Sequence, residues 1–133
     1  MSIFNLSWSL SIHFPGKGGN FDNPDWTAIS EKLHLVLQSI GSVGLENEDE
    51  NGRTRSLSVQ AENAMYFITF GVETDSDWVV RTYKNPDVKS PGEMVDILGD
   101  RWNTQVICHD DEIVMAIFEE FFNTGDVSKK YLT

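Results

Sequence analysis

The sequence predicts an α+β domain. Its antiparallel sheet has about five to six strands, with two helices packed on one face, in the order β-α-β-β-β-β-α. Three observations carry this. Phe4, Leu6, Trp8, Leu10, Ile12 and Phe14 alternate with Asn5, Ser7, Ser9, Ser11 and His13, the period-two pattern of a strand with one buried and one wet face. Two segments, one after Asn23 and one after Asp110, repeat apolar residues at helical spacing. Between them, β-branched and aromatic runs are broken by acidic and glycine-containing turns.

In chain order, the first strand spans Ile3 to Phe14, and Pro15-Gly16-Lys17-Gly18-Gly19-Asn20 reads as a flexible turn. No Gly-Lys-Ser/Thr follows at phosphate-loop spacing. Asn23 is an N-cap candidate, and Pro24 suits the first helical position. Trp26, Ile29, Leu33, Val36, Leu37 and Ile40 then form one stripe, with Leu35 on the outer face. Gly41 and Gly44 are expected to end this helix.

A short strand is expected at Val43 to Leu45, followed by an acidic loop from Glu46 to Gly52. The next strand, Ser56 to Ala61, puts Leu57, Val59 and Ala61 on one face. A tight turn at Glu62-Asn63 leads into Ala64 to Val72, which is apolar on both faces and so is expected to be central and covered on both sides. Glu73 to Asp77 is a second acidic turn, and Trp78 to Tyr83 is another strand. Asn85 to Gly92 is a loop, Met94 to Leu98 reads as a last short strand with a helical turn as the alternative, and Gly99 to Asn103 is irregular. The final helix runs from about Asp110 to Asn123. Asp110, Asp111 and Glu112 sit at its positive end, and Gly125 stops it.

The 133 residues suit one domain, 1–133. Acidic residues outnumber basic ones 21 to 10, giving a formal charge of -11. Phosphates would repel such a chain, so nucleic acid is a poor partner and a basic protein surface a better one. Cys108 is the single cysteine, which rules out an internal disulfide. No stretch approaches the roughly 20 apolar residues of a membrane helix, and the N-terminal segment has no early Lys or Arg before an apolar run. The expectation is a soluble, cytoplasmic protein.

Chemistry-bearing residues are present but do not assemble into a motif. His109-Asp110-Asp111-Glu112 fits no metal-ligand spacing, and helix capping explains its carboxylates. The Glu46–Glu50 run lacks the glycine and closing glutamate of a calcium loop. Cys108 and His109 are adjacent, whereas a nucleophile and its base normally come from distant positions. The expectation is no catalytic residue, no cofactor and no metal, in a protein that is not an enzyme.

Several local features resemble an uncharacterised immunity-type family among the bacterial immunity proteins. They are Gly18-Gly19 followed by Asn23-Pro24-Asp25-Trp26; the Leu57-to-Phe70 hairpin; Asp96-Ile97-Leu98-Gly99-Asp100-Arg101-Trp102; and Phe118-Glu119-Glu120-Phe121-Phe122 followed by Thr124-Gly125-Asp126-Val127-Ser128. Immunity proteins protect a cell from its own polymorphic toxins, including those of contact-dependent growth inhibition. The resemblance implies a protein that binds a cognate toxin domain, such as a nuclease or another basic toxin, and covers its active or target-binding surface. Acidic turns would then engage it, with Glu46, Glu48, Asp49, Glu50, Glu73, Asp75 and Asp77 as contacts and Trp102 as the aromatic anchor. The alternative is a non-catalytic binding module for another protein or a small ligand, with a sheet–helix pocket lined by Trp8, Tyr66 and Trp78.

Overall fold

The structure is a computed structural model that describes residues 3–11, 17–89 and 92–133. Among the described residues, nine strands, two α-helices and one 3-10 turn follow one another: β1 Asn5–Leu10, β2 Lys17–Asp22, α1 Trp26–Leu37, β3 Gly41–Glu48, β4 Thr54–Glu62, β5 Met65–Glu73, β6 Trp78–Thr82, β7 Met94–Ile97, β8 Asp100–Asn103, the 3-10 turn Thr104–Val106, β9 Ile107–Cys108 and α2 Asp111–Thr124. The main sheet has the order β2-β1-β3-β4-β5-β6, with β9 pairing β5 beyond the end of β6. Every pairing in it is antiparallel. The predicted α+β class is what the chain adopts.

The alternation of the first strand sorts its side chains as expected: Phe4, Leu6 and Leu10 are buried and Trp8 half-buried. Ile12, His13 and Phe14 lie outside the described residues. Register carries the apolar row across the sheet, from Leu6 to Leu45, Leu57 and Phe70. Over this face α1 lays Ile29, Leu33, Val36 and Leu37, and α2 lays Val114, Ile117, Phe118 and Phe121. Each large side chain taken fully out of water contributes about 1.5–3 kcal/mol. Phe121 joins the layers, with its ring centroid 5.2 Å from those of both Phe4 and Phe70. The Tyr66 hydroxyl donates to the Leu37 carbonyl at 3.1 Å and ties β5 to the end of α1.

The opposite face of the sheet is lined by Ser7, Ser9, Ser42, Ser56, Ser58 and Thr69 through most of its width. One corner is covered. There the β7–β8 hairpin packs Ile97 and Trp102 against Phe67 and Ile107. This is why β5 carries apolar residues on both faces, as its sequence predicts.

Several boundaries differ from expectation. Lys17 to Asn20, expected in a turn, belong to strand β2, whose register on β1 sets Gly19 opposite Trp8. A β-carbon on Gly19 would come within 2.8 Å of the indole nitrogen, so the absent side chain makes room for Trp8. Asp25, not Asn23, caps α1, because its carboxylate accepts the Ala28 N–H at 2.8 Å. The helix ends at Leu37, and Gly41 and Gly44 lie inside β3 instead of stopping it. Glu46 and Glu48, expected in a loop, extend β3, because β4 offers partners as far as Glu48↔Thr54. The segment expected to be irregular is β8, paired with β7 through a two-residue turn in which Leu98 and Gly99 both have positive φ. The last helix, its Asp110 cap and its left-handed stop at Gly125 are as predicted.

Candidate partner-binding surface

Antiparallel register brings the two acidic turns to one end of the sheet. The β3–β4 turn and the β5–β6 turn both lie there, since Glu48 pairs with Thr54 and Glu73 with Trp78. Asp22, paired with Asn5 beside Glu46, adds a further carboxylate. All seven acidic residues singled out in the sequence thus share one end of the molecule.

Their roles there differ. Asp49 organises its own turn. Its carboxylate accepts the Asn51 N–H at 2.8 Å and the Arg53 N–H at 3.0 Å, while its N–H bonds the Arg53 carbonyl. The Arg53 amide, followed by the Asn51 amide and the nearby arginine charges, holds this carboxyl below the ordinary range against a desolvation that pulls the other way. Asp77 accepts the Trp78 N–H at 2.8 Å, and Glu73 accepts the Thr54 N–H at 2.9 Å. Asp75 pairs with Arg53. Among the described residues, Glu46, Glu48 and Glu50 make no side-chain hydrogen bond or ion pair, and all three are exposed. Glu46 and Glu48 alternate with buried Asn47, so their side chains leave the sheet on the side away from the helices. With Ile3, Asn5 and Thr54 they line a cleft of about 350 Å³.

Trp102 does not belong to this end. Its ring stacks on Phe67 at 3.9 Å between centroids, with 17° between the planes. Phe67 and Glu73 are six residues apart on β5, about 20 Å at strand rise. The aromatic residue beside the acidic turns is Trp78, which is 45% exposed and pairs with Glu73. Its indole lies over Gly71, where a β-carbon would overlap the ring. The available signal was its place directly after Asp75-Ser76-Asp77. The expected pocket of Trp8, Tyr66 and Trp78 does not form. Tyr66 is buried on the helix side, and Trp78 projects from the other face with Glu73.

Cys108 is fully buried, with its sulfur 3.3 Å from the Asp110 carbonyl oxygen and 3.4 Å from the Asp110 nitrogen. Burial pushes its thiol above the ordinary value, the opposite of what a nucleophile needs. Among the described residues no group of three or more His, Cys, Asp or Glu is placed to hold a metal ion, and no helix is long and apolar enough to cross a membrane.

The fold has a solved counterpart. A hypothetical protein from Neisseria gonorrhoeae superposes with a TM-score of 0.71 at 18% identity, over 96% of this chain and 90% of that one. No curated protein matches the sequence. Residues 7–131 match a family described as a family of unknown function, DUF6911, and the chain belongs to that family.

Proposed function

We propose that this chain is an immunity protein that binds a cognate toxin domain, a nuclease or another basic toxin, and covers its active or target-binding surface. The observation that carries the reading is the convergence of seven carboxylates on one end of the sheet. Glu46, Glu48 and Glu50 among them are free of described partners, in a chain of net charge -11. Such a surface imitates the charge of a nucleic acid, accelerates encounter with a basic protein and repels nucleic acid itself. The exposed Trp78 at the same end supplies the aromatic contact that interface centres favour.

The test is capture from lysate of the source bacterium with this chain as bait, at low and moderate salt, followed by an activity assay of the captured domain. Recovery of one basic toxin domain, whose activity the chain abolishes at equal stoichiometry, is the expected result. The variant carrying Glu46→Gln, Glu48→Gln and Glu50→Gln should then associate more slowly and with a flatter salt dependence. Asp49 is left intact because it shapes the turn. Recovery of no such domain from cells that express toxins overturns the reading.

A further inference from the structure

The sheet ends at β6, whose inner edge pairs with β5. Its outer edge is partly used by the chain itself: the Thr82 N–H donates to the Thr133 carbonyl at 3.2 Å, and the Thr133 N–H donates to the Thr82 carbonyl at 3.1 Å. The backbone groups of Thr82 therefore point outward. Those of Val80 and Trp78, two and four residues earlier on the same strand, point the same way. The Trp78 N–H is taken by the Asp77 carboxylate. Among the described residues, what stays open is a short slot: the N–H and C=O of Val80 and the C=O of Trp78.

The side chains around this slot are apolar. Trp78, Val79 and Val80 are 45%, 47% and 52% exposed, consecutive residues that cover both faces of the edge. Edge strands are ordinarily blunted by lysine, proline or a bulge, and none of these interrupts Trp78 to Val80. At the N-terminal end of the slot stand Glu73, Asp75 and Asp77. The cation on β6 itself, Arg81, is turned inward, donating to the carbonyls of Val127 and Leu132 and lying over the Phe70 ring.

We propose that the outer edge of β6 is a strand-addition site for an extended segment of a basic partner, one that alternates apolar residues with Lys or Arg. This rests on the partner-binding reading above and specifies how the partner engages. Apolar residues of the added segment would pack on Trp78 and Val80, its backbone would fill the Val80 groups, and its cations would lie beside Asp75 and Asp77. A second copy of the chain is a poor occupant. It would bring a second net charge of -11, with its own Glu73, Asp75 and Asp77, against the same edge, and a two-fold pairing centred on Val80 would in addition need Thr82, which Thr133 already holds.

The probe is a pair of blocked hexapeptides, alternating Lys-Val and alternating Glu-Val, titrated into the isotopically labelled full chain and followed by amide NMR. The Lys-Val peptide should shift the Val80 amide and slow its hydrogen exchange, weakening with salt, while the Glu-Val peptide should not. Val80→Pro removes the outward N–H and leaves the β5–β6 ladder bonds in place, so it should weaken Lys-Val binding about tenfold, the equivalent of about 1.4 kcal/mol. Val80→Lys, at an exposed position, should do the same by charge and serves if the proline variant does not fold. No shift at Val80, equal binding of both peptides, or self-association in place of peptide binding overturns the proposal. If a toxin is captured and neutralised while Val80→Lys leaves its affinity unchanged, the strand-addition site falls and the immunity reading stands. If the peptide engages Val80 but no toxin is recovered, the reverse holds.

Discussion

The guanidinium of Arg53 on the β3–β4 turn holds the carboxylate of Asp75 on the β5–β6 turn, joining two acidic loops that lie 22 residues apart. The pair is a solvent-facing one, with 36% of the arginine side chain and 83% of the aspartate side chain exposed. Exposed pairs contribute about 0–1 kcal/mol, so its importance is in where it places charge. Arg53→Ala should change unfolding free energy by less than about 1 kcal/mol in a urea titration. It also releases Asp75 and takes the formal charge from -11 to -12, by loss of one cation. Stopped-flow association with a captured basic partner at low salt should therefore quicken. A slower association would place the interface elsewhere.

Trp102 and Trp78 should separate structure from binding. Trp102 covers Phe67 and fills the small core between the β7–β8 hairpin and the sheet. Truncating a stacked, half-buried ring of this kind costs about 2–4 kcal/mol. Trp102→Ala should lower the urea midpoint markedly and leave partner affinity unchanged wherever the variant is folded. Trp78 lies on Gly71 at the exposed edge. Trp78→Ala should shift the midpoint little and cost about 2 kcal/mol or more of partner affinity by calorimetry. The opposite pattern would restore Trp102 as the anchor and remove Trp78.

Local signals account for the parts of the fold that were legible. The period of Phe4 to Leu10, the stripe of α1, and the Asp110 cap with the Gly125 stop of α2 each depend on residues close in sequence. The misread segments are those whose conformation a distant strand imposes. Lys17-Gly18-Gly19-Asn20 has turn composition and becomes a strand because β1 presents the Trp8 indole to Gly19. Glu46-Asn47-Glu48 looks like solvated loop and is strand because Arg55 and Thr54 complete its ladder. The site was legible in its residue types but only in part in its division of labour. Asp49 bonds the amides two and four residues ahead, a local turn pattern that its place before Asn51-Gly52 carries, whereas the pairing of Asp75 with Arg53 and of Glu73 with the Thr54 amide depends on strands that meet only in the fold.

The pH dependence of stability should have two separate limbs. Asp49 has a folded pKa below its unfolded one, because the Arg53 and Asn51 amides favour the carboxylate. Its contribution is present above the ordinary aspartate value of about 3.9 and is lost as pH falls through the lower folded value. Cys108, Tyr66 and Tyr83 go the other way, since burial disfavours their anions and raises all three. Their contribution is complete below the unfolded values, about 8.5 for the thiol and about 10 for the phenols, and is lost as pH rises above them. The thermal midpoint should be nearly level between these limbs and fall at both ends. Asp49→Asn should reduce the acid limb, and Cys108→Ala the alkaline limb, its lower part most, because desolvation first and then nearby anions, the Cys108 thiolate among them, raise Tyr66 and Tyr83. The same burial makes a direct chemical prediction: iodoacetamide at pH 8 should modify Cys108 slowly in the native chain and rapidly in urea. Fast modification of the native protein would mean that the thiol is reachable and ionised, and would reopen Cys108 as a reactive group.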